Sequence, residues 1–249
     1  MQLAQPLDRP THLAHIVQAI EDLSKFSTKT TASAPIPHQF VGTVIDNTTC
    51  LLHAPANTLD SGGRFATLED HNWKSLIAAV HRSFLSSIHL ATEASLKHFC
   101  EERNITVSSK IDQNLSEALD KIQRASEKNP EISKPLKTIR TLSIQRHPSF
   151  DDYLETALNI SSLTTDKKTE WRKFFLALST ARNKVSHSDS SLSEHNKQIL
   201  AEGKLEALIS ATGGLQFNPT QYKQIVELTL NFFDQLLLAE KNLDPLSTN

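Results

Sequence analysis

The sequence predicts a mainly α protein, an up-and-down helical bundle with a small, less regular N-terminal extension. Three observations predict it. Glycine is scarce, six residues in a chain of 249. Leu, Ala, Lys, Glu and Gln are plentiful, and these are good helix formers. From about Glu69 onward apolar residues recur at three- and four-residue steps, the pattern of helices with one buried face.

The same composition narrows the function. Few glycines argue against P-loop and dinucleotide-binding signatures. The formal net charge of -2 argues against a surface coated in positive charge for sequence-blind nucleic-acid binding, while leaving room for a local basic patch. Cys50 and Cys100 fit no metal or disulfide spacing, which points to a reducing compartment. The first ten residues lack a basic head followed by an apolar core, so no leader is expected. No window approaches about 18 uncharged apolar residues, so no membrane span is expected. A soluble, cytoplasmic protein fits these features together.

The elements follow in order. Thr11 to Phe26 reads as an amphipathic helix with Leu13, Ile16, Val17, Ile20 and Leu23 on one stripe and Thr11 as cap. Ser27 to Pro37, rich in Thr, Ser, Ala and Pro, reads as a linker. Phe40 to His53 carries Phe40, Val41, Val44, Ile45, Leu51 and Leu52 around Asp46-Asn47, and it reads as a short hairpin. Ala54 to Gly63 reads as a loop, and the domain boundary is placed there. Residues 1–68 are then an N-terminal extension, 69–243 the helical bundle, and 244–249 a disordered tail.

Within the bundle, Trp73, Leu76, Ile77, Val80, Phe84, Ile88, Ala91 and Phe99 predict one long helix. Ile111, Leu115, Ala118, Leu119 and Ile122 predict a second, ended by Asn129-Pro130. Pro135 to Gln145 and Phe150 to Ile160 predict shorter helices. Asp166 to Ser186 carries Trp171, Phe174, Phe175, Leu178, Ala181 and Val185 on one stripe. Leu192 to Thr212 is expected to form a helix ended by Gly213-Gly214. Asn218 as cap and Pro219 in the first turn open the last helix, whose apolar face is Tyr222, Ile225, Val226, Thr229, Phe232, Phe233, Leu236 and Leu237.

One stretch carries chemistry. Arg182 lies about three turns after Trp171 and shares its inward stripe. A desolvated guanidinium needs an anionic partner, a carboxylate or a ligand phosphate. His187 follows five residues later. On a continuous helix the two side chains would diverge by about 140°. The polar run from Ser186 to Ser191 predicts that the helix ends near Val185 or Ser186, so that His187 can turn back towards Arg182. Asn183 can bond the turn backbone or orient the histidine. Arginine beside histidine suits phosphodiester chemistry. The guanidinium holds phosphate bidentately and stabilises the charge of a pentacoordinate state. The imidazole exchanges a proton with a 2′-hydroxyl or a leaving oxygen. This chemistry needs no metal or other cofactor. Lys167, Lys168, Arg172, Lys173 and Lys184 surround the motif, against Asp166 and Glu170, and are the expected RNA contacts.

A helical bundle with an arginine, a polar residue, three further residues and a histidine at a helix end resembles the HEPN superfamily. The resemblance spans roughly 69–243, with the specific match at Arg182 to His187. It implies a metal-independent endoribonuclease of toxin–antitoxin, abortive-infection or RNA-processing type. It also implies a homodimer in which two motifs face one cleft, a cyclic-phosphate product, and for the toxin–antitoxin case an antitoxin protein as partner. By position Arg182 and His187 would be catalytic and Asn183 supporting.

Other readings stand beside this one. Arg-to-His spacings of similar length also occur at Arg9–His15, Arg64–His71, Arg82–His89 and Arg140–His147. In a purely structural role, Arg182 pairs with a core carboxylate and His187 caps a helix C-terminus. A non-catalytic interaction, dimerisation or nucleotide-binding module is the alternative from another class. The pairs His12/His15 and His81/His89 lack a completing ligand at a recognisable spacing, and His187 and His195, which flank Asp189 and Glu194, are a marginally better but still weak set, so no metal site is expected. The serines near His187 lie in no nucleophile elbow. The aromatic stripes are expected to be core or interface rather than base-stacking platforms.

Overall fold

The computed structural model describes residues 9–60, 70–107, 117–118, 120–122, 124, 148–186, 192–210, 213–215 and 219–241. The all-α expectation holds. The helices are α1 (Arg9–Ser24), α2 (Ile36–Asp60), α3 (Asp70–Glu102), α4 (Phe150–Ile160), α5 (Thr165–Ser186), α6 (Glu194–Glu202) and α7 (Gln221–Lys241). Short 3-10 turns lie at Ser27–Lys29 and Glu206–Leu208, and an antiparallel bridge joins Ile209 to Leu215. Residues 117–118, 120–122 and 124 are also helical, within the second helix predicted for the bundle. The predicted Asn129-Pro130 break, the helix over Pro135 to Gln145, the Asn218 cap and the 244–249 tail lie outside the described residues, as do the side chains at 70–74. No helix among the described residues is long and apolar enough to cross a membrane.

Contacts group the chain into two units, Met1–Ser95 with Ser162–Asn249, and Leu96–Ser161. In the first, α5 and α7 form the aromatic centre. Thr164 opens α5, its carbonyl accepting from the Lys168 N–H at 2.9 Å. Asp166 in the first turn and Lys184 in the last complement the helix dipole. The stripe then buries Trp171, Phe174, Phe175, Leu178 and Ala181. Trp171 and Phe175 meet Phe232 of α7 edge-on, with ring centroids 5.4 and 4.8 Å away. Fully burying each such ring contributes about 1.5–3 kcal/mol, and edge-on pairing adds about 1 kcal/mol. The Trp171 indole N–H donates to Gln235 Oε1 at 3.2 Å, so the polar tip of the ring is satisfied.

α1 and α2 pack on each other and on α7. His38 of α2 donates from Nε2 to Asp234 Oδ1 of α7 at 2.9 Å. The irregular part of this N-terminal region is the connection from Lys25 to Pro35. The hairpin expected over Phe40 to His53 is corrected, because α2 runs unbroken from Ile36 to Asp60. The loop expected from Ala54 is likewise helical as far as Asp60. Val41, Val44, Ile45, Thr48, Leu52 and Ala56 are buried, and their spacing is helical. Asp46 and Asn47, read as a turn, lie on the exposed side of α2. Helical packing overrides the β preference of the Val, Ile and Thr residues here. Gly42 permits the approach of the preceding connection, since a Cβ there would lie 2.8 Å from Thr30 Cβ.

The helix expected over Leu192 to Thr212 is also corrected. α6 ends at Glu202. Ser193 caps its start, accepting from the Asn196 N–H at 3.2 Å. At its end Lys204 takes φ 63, and the Leu205 N–H donates back to Leu200 O at 2.8 Å. Leu200 and Leu205 are both buried, completing a left-handed closure with its apolar contact. Gly203 is required by proximity rather than by φ. A Cβ there would sit 2.3 Å from Ala177 Cβ and 2.7 Å from Lys173 O, so α6 comes directly against the α5 backbone.

In the second unit, Leu96, Phe99 and Cys100 are buried at the end of α3. Arg103 lies over the Phe99 ring at 3.6 Å, and Asn104 at φ 54 closes the helix. α4 matches its predicted bounds. Ser149 and Asp152 form a capping box, each side chain accepting from the other's backbone N–H at 3.3 and 2.9 Å. Phe150, Leu154, Ala157 and Leu158 make its buried stripe.

Candidate functional site

α5 carries Arg182 near its C-terminal end and is described as far as Ser186. His187 itself lies outside the described residues. Arg182 is half-buried, as expected from its place on the Trp171 stripe. Its Nε and Nη2 donate to Asn183 Oδ1 at 3.3 and 3.1 Å. Among the described residues no carboxylate pairs with it. Asn183 thus holds the guanidinium, whereas the sequence reading expected it to bond the turn backbone or orient the histidine.

α5 and α7 run antiparallel. Ser162 Oγ donates to Ala239 O at 2.5 Å, Trp171 meets Gln235 and Phe232, and Phe175 meets Phe232. With equal rise along both helices, Arg182 stands level with about Ile225, roughly one turn from Tyr222. Tyr222 is buried and reaches α3, where its hydroxyl and His81 Nδ1 share a hydrogen bond of 2.6 Å. Its ring lies 4.4 Å from that of Phe84. Burial pushes the phenol far above its ordinary titration range.

His89 stands about two turns further along α3, on the same buried stripe as Phe84, Leu85 and Ile88. Only 6% of it is exposed. Burial first, and then the positive charge of Arg182, push its imidazole down to about 4. A histidine of α3 therefore lies in the field of the Arg182 guanidinium. Sequence reading treated His89 as background, one of several chance Arg-to-His spacings. The available signal was its place on the inward stripe of α3; the influence of Arg182, 93 residues later, was not visible.

The structure does not gather the expected basic residues around Arg182. Lys184 is two residues on, about 200° round the helix. Lys167, Lys168, Arg172 and Lys173 lie about 13–22 Å back along α5. Part of that charge is compensated. Glu170 accepts from Lys167 at 2.7 Å and from Lys204 at 2.5 Å, and these bonds hold its carboxyl below the usual range. Lys173 pairs with Glu202 at 3.1 Å. Gln198 and then Lys173 hold the Glu202 carboxyl low. Among the described residues no group of three His, Cys, Asp or Glu side chains is placed to hold a metal ion.

Comparison with protein-family models, curated proteins and solved structures returns no match.

Proposed function

We propose that the chain is a metal-independent endoribonuclease of HEPN type, acting in a toxin–antitoxin or abortive-infection setting. The observation that carries this reading is the half-buried Arg182 at the end of α5, held by a neutral amide rather than by a described carboxylate. A cation so placed keeps its charge for a ligand anion.

The chemistry follows from these groups. The RNA 2′-oxygen attacks the adjacent phosphorus. The new P–O2′ bond forms as the P–O5′ bond breaks, leaving a 2′,3′-cyclic phosphate and a free 5′-hydroxyl. Arg182 binds the non-bridging oxygens and stabilises the added charge of the pentacoordinate state. His187 takes the 2′-hydroxyl proton or supplies one to the leaving oxygen. Asn183 holds the guanidinium in register. Lys184 is the nearest additional phosphate contact, while Lys167, Lys168, Arg172 and Lys173 would meet RNA further along α5. Two copies facing one cleft and an antitoxin partner belong to the same reading.

Wild-type protein incubated with mixed RNA in EDTA should generate fragments with cyclic-phosphate ends, and Arg182→Ala or His187→Ala should leave the RNA intact. Equal cleavage by wild type and both variants would remove the proposal. A second reading, a non-catalytic helical interaction or nucleotide-binding module, is favoured by one observation. The Glu170 and Glu202 pairings reduce the positive field on the N-terminal half of α5. That reading predicts nucleotide binding at Arg182 without strand cleavage.

A further inference from the structure

We propose that the outward face of α2 is an interface between two copies of this chain, paired antiparallel about a twofold axis level with Ile45. The inference gives a role to N-terminal residues that the Arg182 motif does not use, and it does not rest on the nuclease reading. α2 packs on α1 and α7, so this surface is separate from α5, which carries Arg182.

Three observations converge. First, the face is apolar. Ile36, Phe40 and Leu51 are 36%, 37% and 43% exposed. Steps of four and eleven residues set them on one stripe, within about 60° of each other around the helix. Thr43, Asn47 and Ala54 adjoin them and are exposed as well. Second, charge is almost absent. Charged residues make up 22% of the chain, yet from Thr30 to Leu59 the sole Asp, Glu, Lys or Arg is Asp46. Asp46 lies about 80–140° round the helix from Ile36, Phe40 and Leu51. The exposed surfaces of α5 and α6 differ, since there Lys167 pairs with Glu170 and Lys173 with Glu202. Aromatic and aliphatic side chains in a patch depleted of Lys, Glu and Asp mark the core of a protein–protein interface. Third, the pattern is palindromic. Ile36 and Ala54, Phe40 and Cys50, and Thr43 and Asn47 are each equidistant from Ile45. A twofold axis there sets Phe40 against the partner's Leu51 and Cys50, Ile36 against the partner's Ala54, and Thr43 against the partner's Asn47. An interface between identical copies needs such a self-complementary surface, and a foreign partner does not. A stripe without charge also brings no like charges together when it meets itself.

Sedimentation velocity of the full chain tests the interface. Wild type should associate at micromolar concentration, as a dimer or, where the Arg182 cleft pairs as well, as a tetramer. Phe40→Glu and Leu51→Lys should each halve that mass by weakening association about tenfold or more. Helical circular dichroism should not change, because both side chains lie on the exposed face. Mixing the two variants should restore the wild-type mass. Each mixed pair sets the new carboxylate against the new ammonium at one end and Phe40 against Leu51 at the other. Phe40→Cys supplies a second readout should a charged variant fail to fold. Its new thiol would stand opposite the partner's Cys50, whereas its own Cys50 is about 15 Å along the same helix. A short two-armed maleimide should then join two chains. Wild type should stay unjoined, its two Cys50 thiols lying about 15 Å apart along the pair. A monomeric wild type overturns the inference. So does an association that neither charged variant weakens, which assigns the contact to another face. Variants that weaken association yet do not recombine overturn the antiparallel pairing.

Discussion

Acidification offers a quantitative probe of the buried imidazole. The unfolded chain takes up a proton on His89 near the ordinary value of 6.5, and the folded chain does so only near 4. Because the unfolded state binds the proton first, stability falls as pH falls through this interval. Between about pH 7 and pH 5 the loss is about 2 kcal/mol, and below about pH 4 it levels at about 3 kcal/mol. Asp22, Glu170 and Glu202 act lower on the scale. Lysine or amide hydrogen bonds hold their carboxyls below the ordinary range, so their contribution is lost only as pH drops beneath about 4.5. Urea unfolding of wild type and His89→Gln at several pH values isolates the effect. The variant should lose stability at neutral pH yet show a shallower decline between about pH 7 and pH 5, the difference being about 2 kcal/mol. Parallel declines in the two proteins would refute both the burial of His89 and the influence of Arg182 on it.

Other outcomes follow from the packing. Gly203→Ala should cost about 2–3 kcal/mol, measured as a lowered Tm, because the new methyl meets the Lys173 carbonyl as well as Ala177. Tyr222→Phe removes the hydroxyl bonded to His81 Nδ1 and should destabilise by about 1–3 kcal/mol in urea melts. Ser149→Ala should lower stability by about 1 kcal/mol through loss of the α4 capping box, and Ser149→Gly should recover part of it.

Much of the helical layout was legible in the sequence. Trp171, Phe174, Phe175 and Leu178 mark the inward face of α5, and Tyr222 to Leu236 mark that of α7, because these stripes are long, aromatic and regularly spaced. The bounds of α4, Phe150 to Ile160, were likewise legible. α2 was misread because Val, Ile and Thr flank a turn-like Asp46-Asn47. The decisive pattern is the helical spacing of Val41, Val44, Ile45, Thr48 and Leu52. α6 was extended too far because Gly213-Gly214 looks like a stronger stop than Gly203. What makes Gly203 necessary is a neighbour on α5, which local sequence does not reveal. Arg182 was found from its motif, whereas His89 was not. Its relation to Arg182 depends on how α3, α5 and α7 come together.

The central claim is that Arg182 and His187 cut RNA, and end-group analysis of RNA treated in EDTA tests it most directly. The account predicts 2′,3′-cyclic phosphate ends with wild type and none with a folded His187→Ala protein. Intact RNA with both proteins at high concentration, or the same cleavage by both, would contradict it.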